Sequence, residues 1–184
     1  MKGALVKVFL LLLFSCGLAI GWHSTHSSLD PALLGRATRE YALQEKQLGN
    51  HDYLAIIDYR LSILQPRLFV YDRKAHRVIL QARVAHALRS GLLYTTEFSN
   101  KVGSEKSCPG VFLTQQHSYQ GKFGKALRLT GISKGINDQE EARALVFHED
   151  PGYQYSKGCF MTNAAVNERL ITLLQGRALV VVYK

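Results

Sequence analysis

A mostly β domain, a β-rich meander or sandwich with one helix in front and one before the last strand, follows from three features of the sequence. Tyr53 to Tyr59, Pro66 to Asp72 and Arg77 to Val84 are closely spaced runs rich in β-branched and aromatic residues, divided by polar turns. Leu179-Val180-Val181-Val182-Tyr183 is almost continuously apolar, as a central strand covered on both faces requires. The only strong helical periodicities lie outside these runs, which argues against alternating βαβ units.

Taken in order, the chain opens with Lys2 and Lys7 ahead of Val8-Phe9-Leu10-Leu11-Leu12-Leu13-Phe14, the basic and apolar regions of a secretory signal. Ser15, Cys16 and Gly17 interrupt the apolar stretch, making it a poor permanent span. Residues 1–21 therefore read as a signal peptide or membrane anchor, with cleavage after Gly21 favoured over lipid attachment at Cys16. Residues 22–50 read as a leader and an amphipathic helix. Asp30-Pro31 supplies its cap and first residue, Leu34, Ala37, Tyr41 and Leu48 its apolar face, and Gly49-Asn50 its stop. The expected role of this helix is to pack over a sheet edge.

Residues 51–184 then form one domain, since about 160 residues beyond the signal suffice for a single core. After the first three strands, Val111 to Thr114 and Ala126 to Thr130 read as strands, with Tyr119 to Gly124 a turn-rich piece between them. Gly131 to Asp138 is a glycine and Asx loop. Ala142 to Phe147 reads as a strand ending on His148, and Asn163 caps a helix from Ala164 to Leu174 that Gly176 ends.

The composition is globular, 47% hydrophobic and 20% charged, with a net charge of +9 that favours an anionic partner. No basic stripe interleaved with aromatics and no recognition-helix pattern points to nucleic acid. A carboxylate-rich wall polymer or anionic lipid suits an exported chain better. Three cysteines are too few for a disulfide framework. His86 and His148 lack the paired spacing of a zinc site, so no metal or other cofactor is expected.

Cys159, preceded by Gly158, follows His148 by 11 residues. A thiol near an imidazole that takes its proton is a nucleophile and base for acyl transfer. The same spacing also suits a structural cysteine and a core histidine, and His86, at a strand end, is read first as structural.

The ordered series Asp58, Arg67 to Asp72, Val84-Ala85-His86, Phe98-Ser99-Asn100, Gly103-Ser104, Gly110, Tyr119-Gln120-Gly121-Lys122, Leu127-Arg128-Leu129, Gly131, Gly135 to Asp138, Arg143 to His148 and Ser156 to Cys159 resembles the murein L,D-transpeptidase catalytic-domain family, YkuD-type. The likeness runs over residues 51–184. It implies an envelope or periplasmic enzyme acting on peptidoglycan stem peptides, with Cys159 as nucleophile and His148 as base. It further implies backbone oxyanion donors at Gly158 and Cys159, with Ser156 ordering the loop or touching the stem. Lys157 and Arg143 would meet stem carboxylates, and His86 and Tyr119 are further substrate-binding candidates. Glu149 and Phe160 stand where the family usually has glycine and proline, and Ala87 where it has glycine. Cys108 is expected to be incidental or a disulfide partner of Cys159. Two other functions compete: an L,D-carboxypeptidase, if water resolves the thioester, and a wall-binding module that has lost turnover.

Overall fold

The structure, a computed structural model, describes residues 27–184. The signal or anchor segment expected at residues 1–21 lies outside the described residues. Helix α1 (Pro31–Gln44) starts where the sequence places it, with the Asp30 carboxylate accepting from the Ala32 N–H at 2.8 Å. It ends before Gly49, passing into a short 3-10 turn over Glu45–Gln47.

Nine strands follow: β1 (Tyr53–Asp58), β2 (Leu68–Asp72), β3 (Arg77–Ala82), β4 (Gly110–Thr114), β5 (Tyr119–Gly121), β6 (Gly124–Gly131), β7 (Val146–Glu149), β8 (Phe160–Thr162) and β9 (Leu179–Tyr183). Helix α2 (Glu140–Arg143) precedes β7 and helix α3 (Ala164–Leu174) precedes β9. The sheet order is β3-β2-β1-β9-β4-β6-β7-β8, with β5 paired to β6. The fold is thus mostly β, with a helix near the start and another before the last strand.

The meander expectation holds for β1, β2 and β3, which pair antiparallel. It does not extend to β9, which joins β1 in parallel, or to β8, which joins β7 in parallel. Helix α3 leads into β9, whereas β7 and β8 are joined by the ten-residue loop 150–159, long enough for the crossover that parallel pairing needs. The stretch from Ala142 differs as well: it begins as α2, and the strand starts only at Val146. Arg143 is the last helical residue and Ala144 takes a left-handed φ of 52°, so the chain turns sharply before entering the sheet.

Strand alternation divides two cores. Ala55, Ile57, Val180 and Val182 face inward with Leu170, Ile171 and Leu174 of α3. Leu54, Ile56, Leu179 and Val181 face the other way and meet Ala37 and Tyr41 of α1. The apolar run of β9 is explained by cover on both sides. Helix α1 accordingly lies over the central strands β1 and β9, not over a sheet edge, because there the outward apolar rows of neighbouring strands lie side by side.

Beyond β3 the chain continues along β8: the Ala85 N–H donates to Met161 O at 2.9 Å, and Ala87 bridges Ser156 in parallel. The two ends of the sheet are thereby joined. Arg67, fully buried, locks this seam. Its Nε and Nη2 donate to Val84 O at 3.0 and 2.8 Å, its Nη1 to Leu61 O at 3.1 Å and its Nη2 to His86 Nδ1 at 2.8 Å. Its guanidinium also lies over the Tyr59 ring, 4.8 Å from the centroid. Burial lowers its pKa to about 10, still well above neutrality, so the cation persists.

Replacing Arg67 by Met should strand the Val84 and Leu61 carbonyls and cost about 3 kcal/mol. Urea unfolding checks this, and a loss below about 1 kcal/mol would show that the guanidinium is not the tie.

Candidate active site

His148 lies on β7 and Cys159 immediately before β8. The parallel register pairs Phe147 with Phe160 and His148 with Met161, so one step earlier Cys159 is opposite Val146. Alternation sends Phe147 and Phe160 into the inner core and leaves His148 and Cys159 on the opposite face. Two residues along one strand and one strand across correspond to about 8 Å between Cα atoms, within reach of two side chains and one bridging group.

The imidazole of His148 is held on both sides. His148 Nδ1 is 2.7 Å from Glu149 O, and a carbonyl only accepts, so Nδ1 carries a proton and the neutral ring would keep its lone pair on Nε2. The Phe123 ring stacks on it at 5.4 Å and 26°, and Tyr153 meets Phe123 edge-on at 6.1 Å. His148 is buried, 8% exposed, so its orientation is fixed on both sides. The sequence places Phe123 only in a turn-rich piece and gives it no role at the site; flanked by Lys122 and Gly124 in the β5–β6 turn, it carries no motif of its own.

The thiol rests otherwise. Cys159 Sγ donates to Ala144 O at 3.8 Å rather than to the imidazole. Burial pushes the Cys159 thiol up, while the Val146 backbone N–H and the Arg143 charge pull it down less strongly. In this structure Cys159 is thus a protonated thiol at neutral pH. No disulfide joins it to Cys108, which is fully buried in the inner core.

Gly158 makes the turn into Cys159 with φ of 128°, a region that L side chains rarely enter. A Cβ there would come within 3.1 Å of Arg143 Nη2 and Leu145 Cδ2 and 3.3 Å of Lys106 O. Ser156 Oγ accepts from the Gly158 N–H at 3.0 Å. The Ser156 N–H donates to His86 O at 3.0 Å, and the Leu88 N–H donates to Ser156 O at 3.2 Å. The Gly158 N–H, expected to serve an oxyanion, is therefore already engaged.

The remaining candidates disperse. His86 is fully buried. Because Arg67 donates to its Nδ1, the ring proton is on Nε2, which donates to Gly91 O at 2.8 Å. Burial depresses its pKa further, so it is a neutral structural ring with no nitrogen left for substrate. Lys157 is exposed and pairs with Glu105 at 2.7 Å. Arg143 donates to Ser99 O at 2.7 Å and to Lys106 O, so its guanidinium serves the protein's own backbone and not a stem carboxylate. Tyr119, on β5, lies beneath Arg128 at 5.0 Å, apart from the thiol.

The two residues expected to set this chain apart differ in kind. Glu149 is half-buried at the end of β7, and its Oε2 would lie 3.0 Å from a Cβ at Gly124. Phe160 is 1% exposed, stacked on Tyr59 and in contact with Phe112 and Phe147, so it is a core side chain. A cleft of about 620 Å³ opens at the seam, with Leu64, Arg83, Tyr155, Met161 and Asn163 among its walls. Among the described residues no three His, Cys, Asp or Glu side chains cluster as a metal site would require.

A glycine-turned thiol and an imidazole thus lie on one face of the sheet, the imidazole on β7 and the thiol immediately before the neighbouring β8. The sequence model of the L,D-transpeptidase catalytic domain matches residues 25–183, and the chain belongs to that family. Among solved structures, the L,D-transpeptidase from Mycobacterium smegmatis is 12% identical with a TM-score of 0.45, covering 72% of this chain and 59% of that one. The L,D-transpeptidase (Yku) from Stackebrandtia nassauensis is 11% identical, TM-score 0.45, covering 76% and 60%. That from Xylanimonas cellulosilytica is 14% identical, TM-score 0.40, covering 73% and 61%. The chain thus spans about three fifths of the length of these solved chains. No curated protein matches it.

Two outcomes follow for the thiol. Gly158→Ala should cost about 1–3 kcal/mol in thermal unfolding and displace Cys159; an unchanged melting temperature would show that the turn is not constrained. In the substrate-free protein, the iodoacetamide reaction rate at Cys159 should climb with pH through and above the ordinary thiol range near about 8.5. A rate already at its plateau at pH 7 would contradict a raised pKa.

Proposed function

We propose that this chain is a cysteine-dependent L,D-transpeptidase of the bacterial envelope, acting on peptidoglycan stem peptides through a thioester. The observation that carries this reading is that one sheet face holds both Cys159 and a His148 whose Nδ1 donates to the Glu149 carbonyl, which leaves Nε2 as the nitrogen free to take a proton. Family membership supports the substrate class.

His148 Nε2 removes the Cys159 proton as the thiol turns from Ala144 O toward the ring. The thiolate attacks the carbonyl of the diaminopimelate residue, forming a C–S bond. The Cys159 backbone N–H serves the oxyanion, since the Gly158 N–H is held by Ser156. The C–N bond to the terminal D-alanine breaks and the leaving amine takes the proton from His148. An amine of a neighbouring stem, deprotonated by His148, then attacks the thioester and releases the thiolate, leaving a 3-3 cross-link. The net charge of +9 favours approach to an acidic polymer, and the leading segment provides export to the envelope.

Incubation with disaccharide-tetrapeptide, followed by mass spectrometry, tests the reading. Dimers and a thioester on Cys159 are expected, with both lost in Cys159→Ala and the rate lowered about 10²- to 10⁴-fold in His148→Gln. Tripeptide alone would make the protein a carboxypeptidase. Binding without product, by parent and Cys159→Ala alike, would make it a wall-binding module.

A further inference from the structure

Arg143 has no part in the chemistry just described, yet it is the cation closest to the nucleophile's surroundings. Its Nη1 donates to Ser99 O at 2.7 Å and its Nη2 to Lys106 O. These carbonyls are the two ends of one loop, which the Ser99 N–H also closes by donating to Ser107 O at 3.0 Å. The guanidinium therefore holds the neck of a strap formed by residues 99–106. The same Nη2 would lie 3.1 Å from a Cβ on Gly158, so the group is wedged between that neck and the turn that presents Cys159. The next residue, Ala144, has a left-handed φ of 52°, and its carbonyl receives the Cys159 thiol. Non-glycine residues occupy this region only when their surroundings impose it.

We propose that Arg143 is a positioning residue for the nucleophile: anchored by the strap carbonyls, it fixes the Ala144 and Gly158 backbone around Cys159 and supplies the stationary positive charge that favours the thiolate. This deepens the reading of Cys159 as nucleophile and rests on it. Two hydrogen bonds to neutral carbonyls leave the guanidinium charge uncancelled, and its fork geometry gives it a direction that a lysine would lack. The Arg143 charge pulls the Cys159 thiol down, the direction this geometry requires.

The other groups around the thiol do not supply such a charge. From β7 the neighbour is His148, which is the proton acceptor itself. From the core side Tyr59 and Cys108 approach, the first with its phenol kept protonated by burial. On the nucleophile loop Lys157 is paired with Glu105, and Glu105 also meets Arg89 at 3.4 Å. Glu141 of α2 lines a small groove with Ala144 and Leu145 and would oppose the thiolate.

The test is the pH profile of Cys159 alkylation by iodoacetamide in the full chain, resolved from Cys16 and Cys108 by peptide mapping. It needs no stem peptide, so it succeeds or fails independently of the transpeptidase reading. Arg143→Gln should move the midpoint to higher pH and slow alkylation at pH 8 about three- to tenfold. Arg143→Lys, which keeps the charge and loses the fork, should leave the midpoint near the parent's while amide exchange across residues 99–106 accelerates. An unmoved midpoint in Arg143→Gln would overturn the proposal, as would a shift in Arg143→Lys as large as in the glutamine variant. Should Arg143→Gln not fold, the lysine variant decides alone: a parental midpoint with a loosened strap supports the assignment, and a displaced one removes it.

Discussion

The buried guanidinium of Arg67 is the constraint on which the site depends. It has no carboxylate in contact and is satisfied by Val84 O, Leu61 O and the imidazole of His86. Such a group is tolerable inside a protein only when its donors are spent, and a planar fork spends them on several acceptors at once. The consequence travels by hydrogen bonds. Arg67 sets the tautomer of His86, the His86 carbonyl takes the Ser156 N–H, and Ser156 Oγ takes the Gly158 N–H one residue before the nucleophile. A cation far from the chemistry thus fixes the loop that carries it.

That chain of contacts also explains why the two histidines behave differently. His86 has both nitrogens occupied and is neutral, a spacer between Arg67 and Gly91. His148 has one nitrogen tied to the Glu149 carbonyl and the other left free to take a proton. The bond that spends His86 and the bond that readies His148 are of the same kind; the number of them makes the difference. Burial keeps the thiol protonated at rest.

The departures at Glu149 and Phe160 separate in the same physical terms. A residue on the core side of β8 is judged by packing, and Phe160 fills its place among Tyr59, Phe112 and Phe147. Glu149 faces the β5–β6 turn, close to Gly124 and beside the ring-stacked His148, where a carboxylate bears on what binds. Variation in substrate preference is therefore to be sought at Glu149 and the Phe123 turn, and variation in stability at Phe160.

Local pattern alone determined much of this protein. The Asp30 cap, the helix from Ala164 to Leu174 and the strand from Leu179 to Tyr183 emerge as read, because caps, periodicity and apolar runs act over a few residues. The ordered motifs also disclosed the family and singled out Cys159 and His148. Tertiary structure decided the rest. Short strands such as β8 carry too few residues for a period, and the parallel contacts of β1 with β9 and β7 with β8 join segments whose pairing no local signal encodes. The roles of Arg143 and His86 turned on what lay opposite them, two backbone carbonyls and a buried guanidinium. A side chain's type is written in the sequence, but its partner is set by chain segments tens of residues away, and for a charged or ionisable group the partner decides the chemistry.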